Sequence, residues 1–417
     1  MRSHNFFHVT FAFLLCVQFS AFAQKKAIFI IVDGIPADVI EKVATPTLDA
    51  IAGNKGYTRA YVGGEKGTYS ETPTISAPGY MDLITATWAN KHNVWDNDNQ
   101  SPNYNYWNIF RIVETQKPDL HTAIFSTWLD NRTVLIGEGK AGDFTLDYAF
   151  DGFELDTVKF PHDDERQYIL NIDEHVSTEA ARYISEKSPD LSWVYLEYTD
   201  DMGHGFGDSE IFYESVRKAD RQIAKIWNAI QARKTLGEDW LIVITTDHGR
   251  DAIKGMDHGD QSERERTTWM VTNAVALNEK FTKNDPPVID ITPSILKHLG
   301  ISIPEHLIYE MDGTPFIGDI SACDLKADLQ GNNLVLHWKA FQKSGEAEIL
   351  VSFSHEFKNG GKDLYEKIGS VALKKQTFQI TLNEQQLKAY QQNGLIKVVL
   401  KCPLNTLNCW YKPKSEN

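Results

Sequence analysis

The sequence is poor in cysteine, in long apolar runs and in positive charge. Cysteine makes up only 4 of the 417 residues, which excludes a disulfide-dense scaffold. Apart from the N-terminus, no stretch is apolar enough to span a bilayer. The 42 Lys and Arg residues against 57 Asp and Glu residues give a net charge of −15, which argues against binding to nucleic-acid polymers or anionic membranes.

The N-terminus has the pattern of a secretory signal peptide. Arg2 and His4 precede an apolar run over residues 6–22, and Ala21-Phe22-Ala23 is a small-x-small cleavage site. We therefore predict a signal peptide over residues 1–23 and an exported mature chain, periplasmic or secreted, without a membrane span. An uncleaved membrane anchor is the alternative interpretation.

The two C-terminal cysteines are candidates for a disulfide bond. Six residues separate Cys402 from Cys409, in a segment that contains proline and asparagine. In an oxidising compartment these two cysteines could pair, which would leave Cys323 unpaired. Cys16 would be removed with the signal peptide.

Apolar strands alternate with amphipathic helices over the first three quarters of the chain. Strand patterns cover residues 26–32, 121–127, 191–199, 241–246 and 268–272. Helical patterns cover residues 45–53, 78–88, 165–187, 209–234 and 292–300. Because such alternation builds a sheet covered on both faces, we predict an α/β/α sandwich with a mostly parallel central sheet.

After Gly318 the pattern changes to short alternating runs separated by polar turns. These runs cover residues 333–338, 347–353, 376–382 and 395–400. They predict a small all-β sandwich of about 95 residues. We therefore predict a catalytic domain over residues 24–318 and a C-terminal accessory domain over residues 319–417.

Six aspartate and histidine side chains stand at or shortly after the predicted strand ends. They are Asp33, Asp200, His204, Asp247, His248 and His258. Because ligands bind beyond the carboxyl ends of parallel strands, we expect these side chains to gather at one edge of the sheet. The loop after Asp200 is expected to turn at Gly203, so that Asp200 and His204 face the same ion. The set fits two divalent ions of the zinc type, whereas capping aspartates and surface histidines are the alternative.

The order of these motifs resembles the alkaline phosphatase superfamily and, within it, the type I phosphodiesterase/nucleotide pyrophosphatase family. The motifs are Asp33-Gly34, a Ser/Thr loop, Asp200-x-x-Gly-His204, Asp247-His248-Gly249 and His258-Gly259. The resemblance covers roughly residues 26–317 and leaves out the C-terminal domain. It implies that one zinc is held by Asp200, His204 and His258. The second zinc would be held by Asp33, Asp247 and His248 and shared with the nucleophile.

The Ser/Thr loop over residues 71–80 contains the candidate nucleophiles. They are Thr72, Thr74 and Ser76. Members of the family carry a hydroxyl residue two positions before a proline, which fits Ser76-Ala77-Pro78. The family's phosphate-binding asparagine corresponds to Asn97, which follows Ser76 by 21 positions. A serine at a helix N-terminus also meets unpaired N–H groups, so we predict Ser76 as a metal-bound nucleophile, with a helix cap as the alternative.

The resemblance implies an exported two-zinc phosphodiesterase or nucleotide pyrophosphatase that acts on a small phosphate ester or nucleotide. The alternatives are a phosphomonoesterase of the same superfamily and a non-catalytic binding module. A sulfatase is disfavoured, because Tyr80 stands where the motif Cys/Ser-x-Pro-x-Arg requires arginine.

Five aromatic residues after the nucleophile could stack on a nucleobase, although packing of a long loop is favoured. They are Trp88, Trp95, Tyr104, Tyr106 and Trp107.

Overall fold

The structure is a computed structural model that describes residues 23–98, 101–283 and 285–412. Residues 1–22 of the predicted signal peptide, including Cys16, lie outside the described residues. Within the described part of the chain, no helix combines the length and the apolar character needed to cross a membrane.

A seven-stranded, mostly parallel sheet forms the centre of the N-terminal part. Its strands are β1 (Lys25–Val32), β2 (Tyr57–Tyr61), β3 (Thr122–Ser126), β4 (Tyr148–Phe150), β5 (Leu191–Leu196), β6 (Asp239–Thr245) and β7 (Thr267–Thr272). Their order across the sheet is β2-β7-β6-β1-β5-β3-β4. Strands β6, β1, β5, β3 and β4 run parallel, whereas β7 is antiparallel to both of its neighbours. The predicted α/β fold class is confirmed, with β1 at its centre.

Helices cover both faces of this sheet. In chain order they are α1 (Ala37–Lys42), α2 (Pro46–Ala52), α3 (Ser76–Thr85), α4 (Ala89–His92), α5 (Ile109–Gln116), α6 (Gln167–Lys187), α7 (Tyr198–Phe206), α8 (Glu210–Lys234), α9 (Glu263–Arg266), α10 (Glu279–Lys283), α11 (Ile291–Leu299) and α12 (Glu305–Ile308). Alternate side chains of β1 divide between the two layers: Phe29 packs with α3, α5 and α11, and Ile30 packs with α6 and α8. Burial on both faces explains the nearly continuous apolar run of this strand.

The C-terminal part consists of two antiparallel sheets around their own apolar core. Its strands are β8 (Ala322–Gln330), β9 (Asn333–Ala340), β10 (Glu346–Ser352), β11 (Glu366–Ala372), β12 (Thr377–Thr381), β13 (Ile396–Lys401) and β14 (Thr406–Tyr411). The sheet orders are β11-β10-β13-β14 and β12-β9-β8. The predicted all-β sandwich is confirmed, although the sequence did not predict the helix α13 (Glu384–Asn393).

The predicted disulfide bond between Cys402 and Cys409 is wrong. Both residues are free thiols, as is Cys323. In the hairpin of β13 and β14, Cys409 pairs with Val398, four positions before Cys402. Since a strand rises about 3.3 Å per residue, this register separates the two cysteines by roughly 13 Å, well beyond disulfide reach. Close spacing in the sequence was misleading because the hairpin turn extends the chain between them.

Candidate metal centre and nucleophile

The three central strands bring the predicted carboxylates to one edge of the sheet. Asp33 follows β1 directly, Asp247 lies two residues after β6, and Asp200 lies four residues after β5. Gly34 has a φ of +67°, and a Cβ at this position would lie 2.4 Å from Asp200 Oδ1. Glycine is therefore needed here to let the first strand end against the Asp200 carboxylate.

Asp200 and His204 lie on α7, and not on the predicted loop. Their i and i+4 spacing places both side chains on one helix face, with His204 Nε2 3.3 Å from Asp200 Oδ2. A Cβ at Gly203 would lie 2.1 Å from Arg250 Cζ. Gly203 therefore lets the Arg250 side chain approach helix α7 closely. The prediction of a turn at Gly203 is wrong, because this residue lies within the helix.

Five of the six predicted ligands form two overlapping groups, with His248 common to both. The groups are Asp33, Asp247 and His248, and Asp200, His248 and His258. His248 Nε2 lies 3.4 Å from Asp33 Oδ1 and 3.2 Å from Asp247 Oδ2. His204 Nε2 lies 3.1 Å from His258 Nε2, at the margin of the second group. The resemblance assigned His248 to one ion alone, whereas the geometry puts this imidazole between the two positions.

Two buried carboxylate oxygens in this cluster have no hydrogen-bond partner among the described residues. They are Asp33 Oδ1 and Asp247 Oδ2, the atoms nearest to His248. Burial and the neighbouring charge of Asp247 raise the pKa of Asp33, and burial raises the pKa of Asp247 to about 6. Because buried carboxylates without a counter-ion are costly, this arrangement fits a divalent cation held between them.

The histidines are oriented so that Nε2 can accept a metal ion. Nδ1 of His248 donates to the carbonyl of Gly249 at 2.9 Å, and Nδ1 of His258 donates to the carbonyl of Thr74 at 2.9 Å. Burial lowers the pKa of His248 and of His258 to about 4, so both rings are neutral at pH 7. A neutral imidazole whose Nδ1 is held by a backbone carbonyl is the usual form of a metal ligand. The donor set therefore fits divalent ions.

Ser76 is the first residue of α3 and faces the cluster. Its Oγ lies 3.4 Å from His248 Nε2. Asn97 Oδ1 accepts the N–H of Ala77 at 2.9 Å, so Asn97 lies beside the same helix start. A Cβ at Gly79 would lie 2.8 Å from the Asp247 carbonyl, which shows how closely this helix approaches the end of β6.

The two threonines of the same loop have structural partners instead. Thr72 Oγ1 donates to the carbonyl of Ser70 at 3.1 Å and accepts the N–H of Ala89 at 3.1 Å. Thr74 Oγ1 donates to the carbonyl of Asp260 at 2.7 Å and accepts the N–H of Gly259 at 3.0 Å. Of the three candidates, Ser76 is the hydroxyl that contacts the predicted ligands.

A model of the type I phosphodiesterase/nucleotide pyrophosphatase family matches residues 27–300. The chain belongs to this family. Human ectonucleotide pyrophosphatase/phosphodiesterase family member 7 is 26% identical over 249 residues, covering 55% of this chain and 49% of the relative. Human family member 5 is 23% identical over 238 residues, covering 54% of this chain and 45% of the relative. The chain thus spans about half the length of the relatives it matches.

A solved structure of a 2-O GAG sulfatase is similar in fold, with a TM-score of 0.50 at 11% identity. The match covers 89% of this chain and 87% of that one, and at this identity it shows the fold alone. The residues matched by the type I phosphodiesterase/nucleotide pyrophosphatase family include every predicted site residue, and the C-terminal sandwich lies outside them.

Sequence reasoning missed Arg250 in this member of the phosphodiesterase/nucleotide pyrophosphatase family. Its guanidinium is fully buried, and Nη2 donates to Asp200 Oδ1 and, at 2.7 Å, to the Asp200 carbonyl. Nε donates to Gly34 at 2.9 Å and Nη1 to Met256 at 3.1 Å. Burial alone would raise the pKa of Asp200, but Arg250 and His204 hold it below its usual value. An arginine directly after Asp247-His248-Gly249 was the available signal.

Most of the aromatic residues after Ser76 are packing residues. Trp88 and Tyr106 are buried, and Trp88 stacks on Tyr61. Tyr104 donates its hydroxyl to the Val134 carbonyl at 2.6 Å, and Trp107 lies 4.0 Å from the Arg111 guanidinium. Trp95 is 40% exposed, two positions before Asn97. Of the five, Trp95 is therefore the one whose side chain is exposed.

Proposed function

We propose that this chain is an exported, two-zinc phosphodiesterase or nucleotide pyrophosphatase that works through a covalent intermediate on Ser76. Membership of the type I phosphodiesterase/nucleotide pyrophosphatase family supports the reaction class. The observation that carries the proposal is Ser76 Oγ at 3.4 Å from His248 Nε2, beside the two partnerless carboxylate oxygens. The names of the human relatives support nucleotides or other phosphodiesters as substrates.

In this proposal the six ligands hold two zinc ions. Asp33, Asp247 and His248 hold one ion, and Asp200, His204 and His258 hold the other. When bound, the ions would supply the positive charge that activates the serine hydroxyl and stabilises the phosphate oxygens. Asp33 is kept in place for this role by the Tyr195 hydroxyl, which donates to Oδ2 at 2.7 Å, and by the hydroxyl of Tyr80.

The covalent steps belong to Ser76. Its hydroxyl proton passes to solvent, and Oγ attacks phosphorus in line with the leaving group. An Oγ–P bond forms while the ester P–O bond breaks, and the departing oxygen keeps the electron pair. Water then attacks phosphorus from the opposite side, which breaks the Oγ–P bond and returns the serine hydroxyl. Asn97 and the N-terminus of α3 bind the non-bridging phosphate oxygens. Two in-line displacements give net retention at a chiral phosphorus.

A chromogenic assay with a nitrophenyl phosphodiester and the matching nitrophenyl monoester tests the proposal. We expect turnover of the diester to exceed that of the monoester. Preference for the monoester would support a phosphomonoesterase instead. No turnover of either ester by zinc-loaded protein would support a binding module.

Substitution of Ser76 tests the nucleophile. Ser76→Ala should retain zinc and lose roughly 10³-fold or more in turnover, as other nucleophile deletions do. Ser76→Thr should keep appreciable activity, and Thr74→Ala is the matched control from the same loop. If Ser76→Ala lost only stability, near the ~1 kcal/mol of a helix cap, direct attack by water would replace the covalent mechanism. Inversion at a chiral phosphorus would lead to the same conclusion.

We also propose that residues 24–318 form the catalytic domain and residues 319–417 an accessory domain. An apolar cluster confined to residues 322–409 supports this division. All the proposed ligands precede residue 260. Export rests on the signal-peptide pattern of the first 23 residues.

A further inference from the structure

The two proposed metal positions differ in the charge that surrounds them. At one position Asp33 and Asp247 contribute two carboxylates, and within the described ranges their ion-pair partner is His248. At the other position Asp200 contributes one carboxylate, and Arg250 forms an ion pair with it. Histidines are neutral when they bind a metal ion, so the carboxylates contribute two negative charges at the first position. At the second position they contribute one, which the charge of Arg250 offsets.

Arg250 is enclosed so tightly that its guanidinium stays beside Asp200. It is 0% exposed, and its Cζ lies 5.6 Å from the centre of the Phe212 ring. The backbones of Gly34 and Gly203 flank it so closely that a Cβ would lie 2.7 Å from Nη2 or 2.1 Å from Cζ, respectively. Three backbone carbonyls accept three of its other four N–H groups. No substrate can reach this side chain, so any role in the reaction acts through Asp200.

The guanidinium binds an oxygen of Asp200 that also faces the histidines. Nη2 of Arg250 binds Oδ1, and this oxygen lies 4.0 Å from Nε2 of His248 and of His258. The other oxygen, Oδ2, lies 3.3 Å from His204 Nε2. A divalent ion at this carboxylate is therefore repelled by the arginine, because the buried surroundings screen the charge poorly.

We infer that Arg250 is a positioning residue that makes the two metal positions unequal, so that the ion at Asp200, His204 and His258 is the weakly held one. The inference rests on the proposed function. It identifies the exchangeable position as the one beside α7, and the permanent position as the one between β1 and β6. At low free zinc, the protein carries one ion per chain, at Asp33, Asp247 and His248.

Zinc titration of the metal-free full chain tests the inference directly. Calorimetry and bound-zinc analysis in zinc buffers should resolve two classes of one ion each, with dissociation constants at least about tenfold apart. The matched variants are Arg250→Gln, which keeps N–H donors without the charge, and Arg250→Lys, which keeps the charge without the planar guanidinium. In the glutamine variant the dissociation constant of the weak class should fall by about tenfold or more. The reason is that the repulsion between the arginine and the zinc ion outweighs the loss of one hydrogen bond that orients Asp200. Binding in this class should stay weak in the lysine variant.

A variant at the other position covers the case in which Arg250→Gln does not fold, as judged by circular dichroism of the metal-free protein. Asp247→Asn removes one carboxylate from the tight position and should bring the two dissociation constants together. Two equal classes in the native protein, or an unchanged weak class in a folded Arg250→Gln variant, would overturn the inference and leave the proposed function intact. Native protein that binds no zinc would overturn the proposed function itself.

Discussion

Among the described residues, the candidate metal centre and a second cluster of buried carboxylates differ in what balances their charge. The lysine cluster, between the central-sheet part and the C-terminal sandwich, consists of Lys91, Glu310, Asp312, Asp363 and Lys397. Lys397 Nζ lies 2.9 Å from Glu310 Oε1 and 2.5 Å from Asp363 Oδ2. Lys91 Nζ lies 2.6 Å from Asp312 Oδ1. At the candidate metal centre, by contrast, the oxygens Asp33 Oδ1 and Asp247 Oδ2 have no hydrogen-bond partner among the described residues, and the nearby His248 is neutral.

The contrast separates structural acids from functional ones. In the lysine cluster the chain provides its own cations, and both lysines also lie within 5 Å of the Trp410 ring, at 4.8 and 4.9 Å. At the candidate metal centre the chain buries three carboxylates and supplies an arginine to only one of them, so a bound cation would balance the remaining charge. Two buried carboxylates that converge beside a neutral histidine, without a lysine or arginine, therefore fit a metal site.

Removal of metal should have the largest effect. Dialysis against a chelator should lower turnover of a nitrophenyl phosphodiester by about 10³-fold or more, and added zinc should restore it. Far-ultraviolet circular dichroism should stay native, because the lysine cluster contains no metal ligand. Full activity of demonstrably metal-free protein would refute the two-metal site.

Loss of Lys397 should lower the stability of the protein, because it removes positive charge from the lysine cluster. Lys397→Met leaves Glu310 and Asp363 buried without this cation, so the free energy of unfolding should fall by about 3–5 kcal/mol in urea denaturation. The control is Lys367→Met, because Lys367 pairs with Glu348 on the surface of the same sandwich at about half exposure, 50% and 47%. That pair should contribute less than about 1 kcal/mol. Similar losses from both variants would mean that the lysine cluster is not a buried ion-pair network.

The stabilisation by zinc should depend on pH, because protons compete with zinc for its ligands. Burial raises the pKa of Asp33 and raises that of Asp247 to about 6, and the hydrogen bond with Asp200 raises the pKa of His204. The zinc-induced rise in melting temperature should therefore be small at pH 5 and larger at pH 8. Asp247→Asn should shift this pH dependence to lower pH, because Asp33 then loses a neighbouring negative charge. A rise in melting temperature that is equal at pH 5 and pH 8 would contradict the assignment.

In the metal-free protein, the pKa shifts of Asp247 and His248 change the stability with pH in opposite directions. A raised pKa at Asp247 gives stability that is complete below roughly pH 4 and is lost as the pH rises through about 6. A lowered pKa at His248 gives stability that is complete above roughly pH 6.5 and is lost as the pH falls through about 4. Because the two windows overlap, the melting temperature of metal-free protein should vary less with pH than that of the zinc-loaded protein.

The smallest effect should come from the cysteines beside the lysine cluster. Cys409 is buried near Lys91 and Asp312, and its thiol is free. Peptide mapping without reductant should find Cys402 and Cys409 unlinked. Cys402→Ser should change the free energy of unfolding by less than about 1 kcal/mol, because no crosslink is lost. Isolation of peptides joined by a Cys402–Cys409 disulfide from the oxidised protein would contradict the pairing register of β13 and β14.

The sequence predicted those parts of the site that follow from local pattern. An apolar run that ends in Asp33 or in Asp247-His248 indicates both a buried strand and the position of its carboxyl end. The prediction failed at Gly203, because two glycines in a seven-residue stretch suggest a loop, whereas the packing of Arg250 against α7 explains Gly203. The partners of Arg250 and of the lysine cluster were beyond local reasoning, since contacts between distant segments determine them.

The strand order has a consequence for how the protein matures. The proposed metal ligands come from segments far apart in the chain, as the hydrogen bond between Gly34 and Asp247 across 213 positions illustrates. Such contacts form late, after the entropy of closing long loops has been overcome. A nascent or misfolded chain would therefore lack the proposed metal site, and metal binding would report that β1, β5 and β6 have assembled. Zinc uptake measured during refolding would time the completion of the central sheet.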